Sequence, residues 1–241
     1  TTAGTGSETQ SFALISDAKT HTKMACGDKK ATCKLAILDP ELTLTQPAQV
    51  TALTGIDALA HALETYVTTK RSELSMDYSR RAWELLSVNF IKVIDDPNDL
   101  EARSAMQLGA CLAGLAIENS MLGAAHALAN PLTAHFNIVH GQAVASMLPH
   151  VIRFNAQSME SQYCQLASAT NAVSGDDSEA LATFIAEITQ RSGLATRLEP
   201  QGVNAGQLTM LAADAAKQWT AQFNPRTVEA EDLLALYQQA F

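Results

Sequence analysis

The sequence predicts a mainly α fold, in which a helical domain over residues 46–241 follows a partial α/β segment over residues 1–45. Apolar residues recur at helical spacing from Gln46 onward, whereas the first 45 residues contain only short apolar runs between polar turns. The chain has 241 residues, enough for one large domain or two small ones. Its composition, with 47% hydrophobic and 17% charged residues, excludes a disordered or collagen-like chain.

Three short strands are predicted in the first segment, separated by turns that contain lysine. Three strands of this length do not form a stable sheet by themselves, so the segment is predicted to be a fragment of an α/β element. His21 lies in one of the polar stretches and is predicted to be a surface residue. The predicted strands cover residues 12–16, 22–26 and 33–38.

The remainder of the chain is predicted to form about eight helices. The clearest spans residues 178–191, where apolar residues recur at i, i+3, i+4 and i+7 and where Ser192 and Gly193 end the pattern. Glycine adopts the left-handed conformation that a helix end needs. Four further predicted helices cover residues 79–94, 100–117, 207–218 and 229–240.

Charge and composition exclude several classes of protein. The net charge is −9, which argues against a nucleic-acid partner and against electrostatic binding to a membrane surface. No apolar stretch approaches the roughly 18 residues of a membrane span. Four cysteines without a CxxC pair, together with the lack of a signal peptide, predict reduced thiols in a cytoplasmic protein. Because the sequence starts at Thr1 without Met, we expect a processed or incomplete chain.

Asp57 and His61 are the first candidate metal ligands. They are four residues apart in a predicted helix and therefore project from one face, one turn apart. A carboxylate and an imidazole so placed can bind a divalent metal together. The spacing also fits a simple hydrogen bond between the two side chains, and by itself it does not distinguish these interpretations.

His126 and His140 are the next candidates, because they lie in an apolar stretch rich in alanine and leucine. Burying an imidazole there is costly unless it has a partner. One interpretation is two hydrogen-bonded core histidines. The other is a site of one aspartate and three histidines, whose oxygen and nitrogen ligands suit Fe(II), Zn or another first-row divalent ion.

The chain resembles the iron-containing, or group III, alcohol dehydrogenases over almost its entire length. The ordered set of motifs is specific, whereas no single motif is. The similar segments are TTAGTGSE at 1–8, GIDALAHALE at 55–64, residues 126–141, LPHVIRFN at 148–155 and NPR at 224–226.

This resemblance implies a dehydroquinate synthase-like fold, with an α/β nucleotide domain followed by a helical metal-binding domain. It implies a metal-dependent oxidoreductase that interconverts small alcohols and aldehydes or ketones with NAD or NADP, and that forms a dimer. Fe(II) is the expected metal, with Zn as an alternative. The implied metal ligands are Asp57, His61, His126 and His140, and the implied cofactor-binding residues are Thr1, Thr2, Thr5 and Lys23.

Three departures from the family pattern matter. No GxGxxG or other glycine-rich phosphate loop is present, so we expect the 241-residue chain to bind NAD(P)H weakly. Asn130 stands where relatives commonly have a second histidine discussed as a proton relay, and it is our candidate catalytic residue. Val139 stands where a proline often precedes the His-Gly pair, a change we expect to be local.

Two alternatives to an iron-type dehydrogenase stay open at this point. One is a truncated, non-enzymatic helical module that binds a metal. The other is a relative similar to zinc glycerol dehydrogenase or dehydroquinate synthase. Because those relatives typically use fewer histidines around the metal, the aspartate and three histidines favour the iron type.

Overall fold

The computed structural model describes residues 1–16 and 23–241. Strands β1 (Phe12–Ser16) and β2 (Lys23–Gly27) form an antiparallel hairpin in which Phe12 pairs with Gly27. In the described part of the chain, eight α-helices follow, which confirms the predicted mainly α fold. They are α1 (Ala48–Val67), α2 (Glu73–Asp95), α3 (Leu100–Glu118), α4 (Ala124–Phe136), α5 (His140–Ser168), α6 (Ser178–Arg191), α7 (Leu208–Ala215) and α8 (Ala230–Ala240).

Helix α1 is the centre of the core and packs against α2, α3 and α5. Residues 51–67 of α1 are buried except for the half-buried Thr54, and Ile56, Leu59 and Leu63 are almost completely buried. A helix that is buried on all sides is enclosed by other elements. Polar side chains on α1 are therefore surrounded by protein, which makes each of them informative about function.

Helices α4 and α5 meet at a short connection next to α1. Asn137 ends α4 in the left-handed conformation (φ 53°), which asparagine tolerates better than most residues, and α5 begins three residues later at His140. The phenol of Tyr237, on α8, donates a hydrogen bond to the carbonyl oxygen of Leu128 (2.6 Å). This hydrogen bond joins α4 to the last helix of the chain.

The first six residues are anchored to the helices. Gly6 has φ +61°, and an added Cβ would clash with the carbonyl oxygen of Ala110 and lie 2.9 Å from Cα of Gly114 on α3. An added Cβ at Gly4 would lie 2.7 Å from Cβ of Thr54 on α1. Only glycine permits backbone approach this close. The segment that resembles the family's nucleotide motif therefore packs directly on α1 and α3.

Two predictions about secondary structure were wrong. The expected strand over residues 33–38 is irregular, with Leu35 and Ile37 79% and 83% exposed, because no neighbouring strand in the described residues pairs with it. The expected helix over 207–218 is shorter: it spans Leu208–Ala215, after a 3₁₀ turn over Ala205–Gln207.

The predicted ends of the clearest helix agree with the structure. Ser178–Arg191 matches α6, and Gly193 has φ +77° at its end. The prediction for His21 lies outside the described residues, and the division of the chain between residues 45 and 46 stays a prediction. None of the helices in the described ranges has both the length and the apolar character needed to cross a bilayer.

Candidate metal centre

Helix α1 contributes three polar side chains to one buried face. Asp57, His61 and Glu64 lie at i, i+4 and i+7 and are 8%, 3% and 4% exposed. A buried charge or imidazole is costly without a partner. The three side chains therefore require partners from neighbouring elements.

Helix α4 places His126 opposite this face. Gly123 precedes the helix without a side-chain cap, and Glu64 and Asn224 accept the free N–H groups of the first turn. His126 is 4% exposed, and its Nδ1 lies 2.5 Å from Oε2 of Glu64. Its other ring nitrogen, Nε2, is directed toward Asp57.

Helix α5 begins with His140, whose neighbour Gly141 lies against the backbone of α1. An added Cβ at Gly141 would clash with the carbonyl oxygen of Leu53 and lie 2.8 Å from its carbonyl carbon. This close approach brings the His140 side chain to Asp57. With 27% of its side chain exposed, His140 is the most accessible of the four candidate ligands.

One carboxylate oxygen lies at the centre of this cluster. The distances from Oδ1 of Asp57 to the Nε2 atoms of His61, His126 and His140 are 3.4, 3.4 and 3.6 Å. The rings of His61 and His126 stack with centroids 4.9 Å apart. Asp57, His61 and His126 can thus offer ligand atoms that all lie within 4.8 Å of one another, and His140 reaches Asp57 from a third helix.

The cluster fits a divalent metal ion. Among the described residues, Oδ1 of Asp57 and Nε2 of His126 are buried and have no hydrogen-bond partner of good geometry. Two ligand atoms about 2.1 Å from a shared ion at a tetrahedral angle lie about 3.4 Å apart, which matches the observed spacing. One carboxylate and three imidazoles are the donor set that Fe(II) and Zn accept.

The electrostatics of the side chains favour a cation. Burial opposes ionisation of Asp57, but His61 and the other two histidines hold the pKa of its carboxyl below the ordinary value. Burial lowers the pKa of His61. Burial also acts to lower the pKa of His126, but Glu64 and Asp57 outweigh it and raise this pKa to about 9. The negative carboxylates thus attract positive charge to the cluster.

A cavity of about 630 Å³ opens above the cluster. Ile117, Met121 and Leu122 form an apolar part of its wall, while Asn130 and Thr220 add polar groups. The hydroxyl oxygen of Thr220 is buried and has no hydrogen-bond partner within the described ranges. A volume of this size accommodates a small molecule.

The candidate cofactor-binding residues do not all line the cavity. Thr5 lines the cavity, whereas Thr1 and Thr2 are exposed and do not line it. Lys23 begins β2, and its side chain lies outside the described residues. The amide nitrogen of the candidate catalytic residue Asn130 donates to Oε1 of Gln218 (3.1 Å) while the residue lines the cavity.

Sequence reasoning missed Glu64 as a site residue. The signal was present, since Glu64 follows His61 by three residues and therefore shares its helix face with Asp57. It also missed the contact of Asn224 with the first turn of α4, which joins residues 100 positions apart. No local pattern in the sequence predicts that contact.

A helical protein with a buried cluster of one aspartate and three histidines beneath a cavity has the features of a mononuclear metalloenzyme. The C-terminal family of Fe-containing alcohol dehydrogenases matches residues 51–241, and the iron-containing alcohol dehydrogenase family matches residues 1–40. The chain belongs to the iron-containing alcohol dehydrogenase family, as its resemblance indicated.

Two proteins of similar sequence are named as dehydrogenases that act on alcohols. The probable alcohol dehydrogenase EutG of Escherichia coli is 34% identical over 240 residues, which are 100% of this chain and 60% of that protein. The NAD-dependent methanol dehydrogenase of Bacillus methanolicus is 32% identical, over 100% of this chain and 64% of that protein. The chain thus spans about three fifths of the length of these relatives.

Solved structures share the fold. The alcohol dehydrogenase from Oenococcus oeni superposes with a TM-score of 0.93 at 28% identity, over 100% of this chain and 64% of that one. A 1,3-propanediol oxidoreductase gives a TM-score of 0.94 at 29% identity with the same coverage. The arrangement of helices that builds the cluster is therefore that of the family.

Proposed function

We propose that this chain forms the metal-binding part of an NAD(P)-dependent dehydrogenase that interconverts an alcohol with an aldehyde or ketone. The observation behind this proposal is the convergence of Asp57, His61, His126 and His140 at the floor of the cavity. The relatives support it, since they include an NAD-dependent methanol dehydrogenase and an NADPH-dependent butanol dehydrogenase. Fe(II) is the proposed metal, and Zn is the alternative.

The four side chains are proposed to hold the ion together. Asp57 provides negative charge and the histidines provide three neutral nitrogen donors from three helices. When bound, a divalent ion here supplies Lewis-acid polarisation of the substrate oxygen, and NAD(P) supplies or accepts the hydride. Because all three helices belong to one packed core, the donor atoms are held in place before binding.

The cavity wall is proposed to bind the substrate. The Thr220 hydroxyl, buried without a hydrogen-bond partner in the part of the chain described, is available to a substrate oxygen. Ile117 and Leu122 present apolar surface that excludes water and suits a short aliphatic chain. The partner is therefore a small alcohol or aldehyde.

Asn130 and the N-terminal threonines complete the proposed site. An amide hydrogen bonds but does not take up a proton at neutral pH, so Asn130 would orient polar groups instead of relaying protons. Thr5 has the position best suited to contact a nucleotide, because it lines the cavity. Roles for Thr1, Thr2 and Lys23 in cofactor binding stay proposals.

A homodimer and a cytoplasmic location are also proposed. All four cysteines are free thiols, in keeping with a reducing compartment. Light scattering of the purified protein measures the assembly, and a monomer at micromolar concentration would contradict the dimer.

The test of the proposed function combines metal analysis with an activity assay. The protein is purified without oxygen or chelator, its metal content is measured, and short primary alcohols are supplied with NAD or NADP. We expect one metal ion per chain in the wild type and its loss in Asp57→Asn, while Asp77→Asn on the exposed side of α2 keeps it. A wild type that binds no metal contradicts the proposal. Because the 241-residue chain is expected to bind NAD(P)H weakly, the assay uses saturating NAD or NADP, and metal binding without turnover under that condition favours a non-enzymatic module.

A further inference from the structure

Glu64 connects α1 to the first turn of α4 through both of its carboxylate oxygens. Oε1 accepts the backbone N–H of Ala125 at 2.7 Å, and Oε2 lies 2.5 Å from Nδ1 of His126. The side chain is 4% exposed, so water does not satisfy it. Two adjacent residues of α4 are thus bound by a single side chain of α1.

The first of these contacts is explained by helix capping. The first N–H groups of a helix have no partner within the helix, and Gly123 provides no side chain to accept them. Asn224 accepts the N–H of Ala124 (3.2 Å), and Glu64 accepts that of Ala125. A carboxylate is also favoured at the positive end of the helix dipole. Capping accounts for Oε1 but leaves Oε2 unexplained.

The second contact determines which nitrogen of His126 carries hydrogen. An ionised carboxylate only accepts hydrogen bonds, so Nδ1 must be the donor. In the neutral imidazole the lone pair is then on Nε2, which lies 3.4 Å from Oδ1 of Asp57. Metal-binding histidines commonly donate their other nitrogen to a carboxylate, which orients the ring.

We infer that Glu64 is a positioning residue that fixes the tautomer and ring orientation of His126 for metal binding, an inference that rests on the proposed metal site. The cluster around it is tightly packed: an added Cβ at Gly123 would lie 3.0 Å from Oδ1 of Asn224 and 3.2 Å from Oε1 of Glu64. The carboxylate therefore has little room to rotate away from His126.

Glu64→Gln tests the orientation of the His126 ring without removing the cap on α4, because the glutamate and glutamine side chains have nearly the same shape. The amide oxygen still accepts the N–H of Ala125, but the amide NH₂ then faces Nδ1 and donates to it. The imidazole hydrogen is forced onto Nε2, where it blocks the lone pair. We expect zinc affinity to fall by about 10- to 100-fold, the usual effect of removing such a partner.

Glu160→Gln is the matched control. Glu160 also accepts the backbone N–H and the hydroxyl of a residue at the start of another helix, Ser178 on α6, but it lies on α5 and has a further donor in the thiol of Cys164. Its amide variant should bind zinc as the wild type does. Glu64→Asp keeps the negative charge on a shorter side chain and should recover part of the affinity lost in Glu64→Gln.

The measurements are competition of each protein with a zinc chelator and ¹⁵N spectra of zinc-loaded protein with labelled histidine. For the wild type we expect Nε2 of His126 on the metal and a hydrogen on Nδ1. Equal zinc affinity in Glu64→Gln, or zinc bound to Nδ1 in the wild type, overturns the inference. If Glu64→Gln does not fold, the wild-type spectrum decides alone. A folded wild type that does not bind zinc contradicts the proposed metal site itself.

Discussion

Gly141 lies directly against the backbone of Leu53, so that the start of α5 touches α1 beside the candidate metal centre. An added Cβ would lie 2.8 Å from the carbonyl carbon of Leu53 and 3.1 Å from its Cα. Gly141→Ala must therefore push α5 away from α1 and move His140 from Asp57. We expect weaker metal binding and a loss of about 1–3 kcal/mol in the free energy of unfolding, as is usual for overpacking.

Chelator competition and urea unfolding measure these two effects. Gly206→Ala is the control, because an added Cβ at Gly206 meets no atom within 4 Å. The control should keep both metal affinity and stability. Wild-type affinity in Gly141→Ala would show that the close approach of the two helices does not position His140.

Thr220→Val tests the proposed substrate contact. Valine has nearly the same shape as threonine but lacks the hydroxyl, whose oxygen is buried in the cavity wall. Losing one hydrogen bond of about 0.5–1.5 kcal/mol corresponds to a two- to tenfold lower kcat/KM for an alcohol substrate. Steady-state kinetics of the complete enzyme measure the change, and an unaltered kcat/KM would remove Thr220 from substrate binding.

Asn130→His tests the proton relay. A histidine here adds a group that titrates near roughly pH 6.5, whereas the amide does not titrate in this range. In the complete enzyme, we expect the variant to fold and to change the pH dependence of turnover, even though it loses the hydrogen bond to Gln218. Superimposable pH–rate profiles for wild type and variant would mean that this position takes no part in proton transfer.

His150 makes stability depend on pH. Burial, with a smaller contribution from Arg153, lowers the pKa of its imidazole below 6.5. The unfolded chain therefore binds the proton more readily than the folded chain, so stability falls as pH decreases from about 6.5 toward the folded pKa. His150→Gln should lose less stability than the wild type between pH 7.5 and 5.5. Equal losses in urea unfolding would contradict this.

Local patterns predicted the helices but not their contacts. The spacing of Leu181, Phe184 and Ile188 predicted α6 because helical periodicity depends only on neighbouring residues. The strand predicted over residues 33–38 was wrong because strands depend on a partner that the pattern does not contain. Boundaries such as that of α7 shifted where a 3₁₀ turn replaced the helix.

The candidate metal centre was only partly predictable. The pair Asp57 and His61 follows from helix geometry, and apolar surroundings made His126 and His140 candidates, but the family resemblance implied all four as ligands. The approach of His126 and His140 to Asp57 depends on packing of α4 and α5 against α1. Glu64 was overlooked although it shares a helix face with Asp57 and His61, and the local pattern does not contain its partner on α4, 62 residues away. Metal binding by the four side chains stays a prediction.

Anomalous X-ray scattering from crystals of the anaerobically metal-loaded protein tests the central claim most directly. Data at the iron or zinc absorption edge locate the ion independently of any assumed ligands. We predict one strong peak per chain, with the carboxylate of Asp57 and the Nε2 atoms of His61, His126 and His140 about 2.0–2.2 Å away. A peak bound by other residues, or none at this cluster in the folded protein, would contradict the account.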